Sequence, residues 1–179
     1  MTARIGWAAQ REAEPAVWLS PYRYPDASPQ ANWLADQYPH VVQITHPPEP
    51  DGLPEMGSLP EGLLDPLYEH LHDAFAGLFW AGWGGFLDAD LLGAAAVHDT
   101  NNWRYCVVSA VQPPGPSSVR ERSPNFWWPR DHSWCTATGI DENRTLVVSA
   151  DRDRLRVIHE DPRFDSELFS RRPKPDRQP

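Results

Sequence analysis

The stretch that most limits what this chain can become runs from Ser123 to Ala150, SPNFWWPRDHSWCTATGIDENRTLVVSA. From Trp134 the residues alternate: Trp134, Thr136, Thr138 and Ile140 fall on one side, Cys135, Ala137 and Gly139 on the other. That is the period-two signature of a strand. Asp141-Glu142-Asn143-Arg144 supplies turn-compatible residues, and Thr145 to Ala150 is β-branched and apolar enough to return as the partner strand of a hairpin. The remaining elements are expected to pack onto this hairpin.

Two further strands have clear β composition: HVVQIT, His40 to Thr45, bracketed by Pro39 and Pro47, and WRYCVVSAV, Trp103 to Val111. Asp65-Pro66 reads as a helix start, with Leu67, Leu71, Ala74, Phe75 and Leu78 as its apolar stripe and Gly77 as its C-cap. A strand is expected at 78–83, a turn at Gly84-Gly85, and a short helix in the ambiguous segment Asp88 to Asp99. After the hairpin, Ser149 or Asp151 caps a helix of about ten residues with Leu155 and Ile158 buried and Pro162 closing it, and Phe164 to Phe169 forms an edge strand. The expectation is an α+β fold, a single antiparallel sheet with two helices on one face and long Pro-rich loops. Residues 1–62 read as an irregular Pro-rich arm with aromatic anchors and a short strand, 63–169 as the α+β core, and 170–179 as a disordered tail.

Composition narrows the partner class. The 179 residues carry a formal net charge of -9, and no Lys/Arg cluster interrupts it before Arg171-Arg172, which disfavours nucleic acid and favours a basic protein partner. No run of about eighteen apolar residues occurs, and Arg11, Glu12 and Glu14 interrupt the N-terminus, so neither a membrane span nor a signal peptide is expected and the chain reads as cytoplasmic.

The segments LFWAGWGGF, WRYCVVSA, PNFWWPRDHSWCTATGID and EDPRF together resemble a family of small uncharacterised proteins of high-GC, actinobacterial type. The resemblance covers about residues 63–169, and its most specific part follows the pattern P-N-x-W-W-P-x-D-x-x-W-C-x-A-T-x-I-D. After the turn this chain has Val148-Ser149-Ala150 where the family carries a glycine-rich V-G-G-S. The resemblance implies a fold and a soluble location, and brings no activity with it.

No constellation reads as catalytic. Cys135 with His132 as base and Asp131 or Asp99 as orienter would be a nucleophile set, but positions 132 and 135 of an extended segment face opposite ways, and Cys135 lies on the small-residue side. Cys106 and Cys135 are expected to be buried thiols without CxxC or Cys/His spacing. His70 and His72, two apart on a helix, cannot share a metal and read as a solvated face, and no cofactor is expected. Nine tryptophans are the unusual feature. Trp127-Trp128 in extended chain send one ring to the core and the other to a groove or partner. The candidate binding residues are therefore Trp127, Trp128, Asp131 and His132. The leading expectation is a non-enzymatic acidic interaction protein, in its specific form an immunity-type antidote to a basic toxin. The alternative is a small enzyme or ligand-binding domain with a Trp-lined cleft using Asp131 and His132.

Overall fold

A computed structural model describes residues 5–22, 34, 37–48, 57–82, 91–98, 103–116, 118–119, 122–140 and 142–170. Among them, nine strands form one antiparallel sheet: β1 (Gly6–Ala9), β2 (His40–Thr45), β3 (Ala74–Trp80), β4 (Ala96–His98), β5 (Arg104–Val111), β6 (Phe126–Pro129), β7 (Trp134–Thr138), β8 (Arg144–Ser149) and β9 (Asp165–Ser170). Their order is β1-β5-β3-β6-β7-β8-β2-β9, with β4 also alongside β5. Two α-helices, α1 (Glu61–His70) and α2 (Arg152–His159), and a 3-10 helix (Glu14–Tyr22) accompany the sheet.

The sheet is covered on both faces. One core joins Leu64, Leu67, Tyr68 and Leu71 of α1 and its C-cap, Leu155 and Ile158 of α2, and Trp7, Trp127, Trp134 and Val147 from the strands. The other joins Ala16 and Leu19 of the 3-10 helix to Leu78, Tyr105, Val107, Trp128, Cys135, Ala137 and Val148. Burial on both sides removes the polar alternation of a half-exposed strand, and every residue of β6 and β7 is buried.

The expected hairpin is present as β7 and β8, with Trp134 opposite Ser149 and Thr138 opposite Thr145. β2 has the expected bounds, and β5 pairs on both sides as an interior strand should. The α1/β3 region differs from expectation. The helix begins at Glu61 behind Pro60, without a side-chain cap, and holds Pro66 in its interior, so Asp65 is not its start. The strand begins at Ala74 rather than at 78, so Ala74, Phe75 and Leu78 belong to it and Gly77 is no C-cap. Short apolar runs satisfy both periods, and the tertiary pairing of β3 with β5 and β6 decides the matter. Gly77 has a packing reason: a Cβ there would stand 2.7 Å from the Phe126 carbonyl oxygen and 2.9 Å from Pro124 Cγ.

The described part of 88–99 contains β4 where a helix was expected, and β1 and β6 are additional strands. α2 is capped as expected, the Asp151 carboxylate accepting from the backbone N–H groups of Asp153 and Arg154. The expected turn at Gly84-Gly85, residue 83 of the expected strand, Asp88, Asp99, Asp141 and the tail 171–179 lie outside the described residues.

Candidate functional site

The four candidate residues converge on the turn between β6 and β7, Pro129-Arg130-Asp131-His132-Ser133, but in unequal ways. The backbone N–H of His132 donates to the Pro129 carbonyl at 3.1 Å, closing a tight turn. His132 has φ 55, the one left-handed non-glycine residue described. The Asp131 Oδ1 accepts the Ser133 N–H at 3.0 Å, and the Ser133 carbonyl in turn accepts Ser149 Oγ at 3.0 Å and Ala150 N–H at 3.3 Å, which ties the turn to the end of β8. The Tyr38 hydroxyl donates to the His132 carbonyl at 2.7 Å.

Trp18, from the 3-10 helix, lies flat on the His132 imidazole with centroids 4.4 Å apart and planes at 15°. It also meets Trp128 edge-to-face, centroids 5.4 Å apart. Arg130 is drawn over the Phe75 ring, 4.0 Å from its centroid. Trp18, Tyr38, Phe75 and Arg130 are thus site residues that sequence reading missed. Arg130 belongs to the turn itself, whereas Trp18, Tyr38 and Phe75 come from segments up to 114 positions away, and no local signal announces them.

The expectation that one of Trp127 and Trp128 faces solvent is overturned, since both are fully buried. They do diverge as adjacent strand residues must, one into each core. Trp127 is ringed by Trp7, Tyr68 and Trp134 at 5.8, 5.3 and 5.2 Å, edge-to-face throughout. Among the described residues, the indole N–H groups of Trp18, Trp127 and Trp128 find no hydrogen-bond acceptor. What faces water is Asp131, beside exposed Arg130 and half-buried His132.

The electrostatics separate the two. The Ser133 backbone N–H holds the Asp131 carboxyl below its ordinary range. Partial burial pushes the His132 imidazole down, against the opposing pull of Asp131. At neutral pH the turn therefore presents a carboxylate beside a neutral, stacked imidazole. Cys135 lies in the core with its thiol donating to the Thr136 carbonyl at 3.3 Å, and burial pushes it far above the ordinary thiol range. Cys106 is buried and shifted the same way. Neither thiol has the exposed, electropositive setting of a nucleophile.

Two other polar clusters organise the helix side. His70 is not on a solvated face: its Nε2 pairs with Asp161 Oδ2 at 2.8 Å, and Arg163 bridges Asp161 to Glu69. His72 is exposed. Arg154 grips Asp73 with both terminal nitrogens, and Trp134 Nε1 donates to the same carboxylate at 3.1 Å. Among the described residues no group of three or more His, Cys, Asp or Glu side chains is placed to hold a metal ion. No helix of the described chain is long and apolar enough to cross a membrane.

Compared with protein-family models, curated proteins and solved structures, the chain matches none.

Proposed function

We propose that this chain is a non-enzymatic acidic interaction protein that binds a protein with a basic surface, in the specific form of an immunity-type antidote to a basic toxin. The observation that carries this reading is the clamped β6–β7 turn. A histidine in the left-handed region costs on the order of 1 kcal/mol, and such strain persists where surrounding structure enforces it and function uses it. Here the Trp18 stack, the Tyr38 hydroxyl and the Ser133 tie to β8 enforce it. The result is an exposed carboxylate held in one place, so a cationic partner group meets it without ordering a loop.

The wider surface agrees in sign. The exposed residues Glu61, Asp65 and Glu69 form a line along α1, one every fourth residue, with Glu69 also paired to Arg163. With a net charge of -9 it steers a basic partner during encounter.

The test is binding of the purified chain to the protein encoded by the adjacent gene, measured at low and high salt, together with rescue of cells expressing that protein. Salt-sensitive binding weakened at least tenfold by Asp131→Arg supports the reading. Absence of both binding and rescue refutes it. The second reading, a ligand-binding domain or small enzyme with a Trp-lined cleft, is favoured by the indole N–H groups of Trp18 and Trp128 behind His132, which find no acceptor among the described residues. Asp131 and His132 would then be its polar groups, and a small molecule whose binding is lost in Trp18→Ala would establish it.

A further inference from the structure

We propose that β9 is a docking edge on which an extended basic segment of the partner adds to the sheet as a further antiparallel strand. This rests on the reading of a basic protein partner and specifies how that partner is held. The two ends of the sheet are finished differently. Outside β1, Trp7 and Val119 exchange backbone hydrogen bonds in both directions at 2.9 Å. Outside β9, no described residue pairs with the strand. All six of its residues are in unbroken register with β2, from His40 opposite Ser170 to Thr45 opposite Asp165. Alternate residues of such an edge turn their N–H and C=O groups outward, which is the template that strand addition uses.

The side chains say what kind of strand would fit. Leu168 packs against the helix-side core, which places Ser166 and Ser170 on that face and Asp165, Glu167 and Phe169 on the other. Asp165 and Glu167 are exposed, and Phe169 keeps 42% of its surface in water although it stands opposite buried Val41. Carboxylates on an edge strand commonly serve only to block self-pairing. A blocking role does not account for an exposed phenylalanine in line with them.

A second copy of this chain is disfavoured as occupant, because antiparallel pairing of two β9 strands crowds four carboxylates onto one face of the ribbon. A basic strand turns the same groups into attraction. Antiparallel addition sets the partner's pattern as apolar-x-basic-x-basic, with the apolar residue meeting Phe169 and the cations meeting Glu167 and Asp165.

The probes are two fluorescein-labelled peptides, Ser-Val-Thr-Lys-Thr-Lys-Ser and the same peptide with Glu for Lys, titrated against the full chain by fluorescence polarisation, with amide exchange followed across 165–170. The lysine peptide is expected to bind and to slow exchange in β9, and the glutamate peptide to do neither. Glu167→Lys should weaken the lysine peptide at least tenfold and strengthen the glutamate peptide. Phe169→Ser should weaken the lysine peptide about fivefold, roughly the value of part of one aromatic contact. Both side chains are exposed, and an unchanged circular dichroism spectrum verifies the fold of each variant. Absence of β9 protection at about 1 mM lysine peptide, the weak end of specific binding, overturns the proposal. So does binding that Glu167→Lys leaves unaltered. If the adjacent-gene protein binds the Glu167→Lys chain as well as the parent while Asp131→Arg abolishes binding, docking on β9 is wrong and the basic-partner reading stands. If it binds neither chain, that reading falls on its own.

Discussion

Truncating Trp134 to alanine tests the packing on which the candidate turn depends. Its side chain is fully buried, stands perpendicular to Trp127 at 5.2 Å, and shares a core with Leu67 and Leu71 of the α1 segment. Removing an indole from such a site costs about 3–5 kcal/mol in lost transfer energy and residual cavity. The lost hydrogen bond to Asp73 adds little, because Arg154 keeps that half-exposed carboxylate paired at 3.0 and 3.2 Å. Against a typical domain stability of 5–15 kcal/mol and a urea slope of about 2 kcal/mol per molar, the unfolding midpoint should fall by about 1.5–2.5 M. Trp134→Phe, which keeps much of the volume, should lose about 1–2 kcal/mol. Urea titrations followed by far-ultraviolet circular dichroism measure both. A midpoint shift below about 0.5 M at unchanged slope would refute the packing argument, and loss of partner binding in that same variant would make the ring a recognition surface instead.

Asp131→Ala, which removes one turn-closing acceptor from an exposed side chain, should cost no more than about 1 kcal/mol in the same titration while weakening a basic partner. Cys135 and Cys106 should resist a thiol reagent at neutral pH until denaturant is added, and rapid native labelling of Cys135 would return the nucleophile reading to contention. Buried His46, held at 2.9 Å from Thr145 Oγ1, has its pKa pushed down from 6.5 to about 4 by burial, so the unfolded chain takes up its proton first. Stability should therefore fall by up to about 3 kcal/mol between pH 6.5 and 4, and His46→Gln should flatten that slope in denaturation at stepped pH.

What the sequence made legible were elements whose evidence is local. Pro39 and Pro47 bracket β2, alternation marks β7, and Asp151 ahead of Leu155 and Ile158 marks the start and buried side of α2. The α1/β3 boundary was misplaced because Ala74, Phe75 and Leu78 satisfy the helical and the strand periods alike. Only the pairing of Ala76 with Ser109 and Trp128 selects the strand. β1 and β4, of four and three residues, exist through pairing with β5, and β4 has almost no pattern of its own. Divergence of Trp127 and Trp128 could be read from the strand period, but which side met water could not. That depended on the 3-10 helix, whose Ala16 and Leu19 cover the second face from a segment that Pro15 and Pro21 had marked as irregular.

Coverage of both faces has a consequence for where such a chain can bind. With the strand side chains consumed by two cores, surface chemistry is left to turns and edges, and the clamped turn and β9 are related in space. His40 pairs with both Ser149 and Ser170, and Ser149 pairs with Trp134, so the Phe169 end of β9 lies at the same end of the sheet as the turn before Trp134. Three strand spacings separate β7 from β9, about 14 Å. Trp18 and Phe169 also lie on the same side of the sheet, since Trp18 packs on the core containing Val41 and Phe169 stands opposite Val41. A standard interface covers about 800 Å² per partner, roughly 28 Å across, so one basic protein can engage Asp131 and β9 together. Sites that far apart without shared partners contribute nearly additively. The penalties of Asp131→Arg and Glu167→Lys should therefore sum in the double variant, whereas a double variant no weaker than the worse single one would mean that only one of the two surfaces is used.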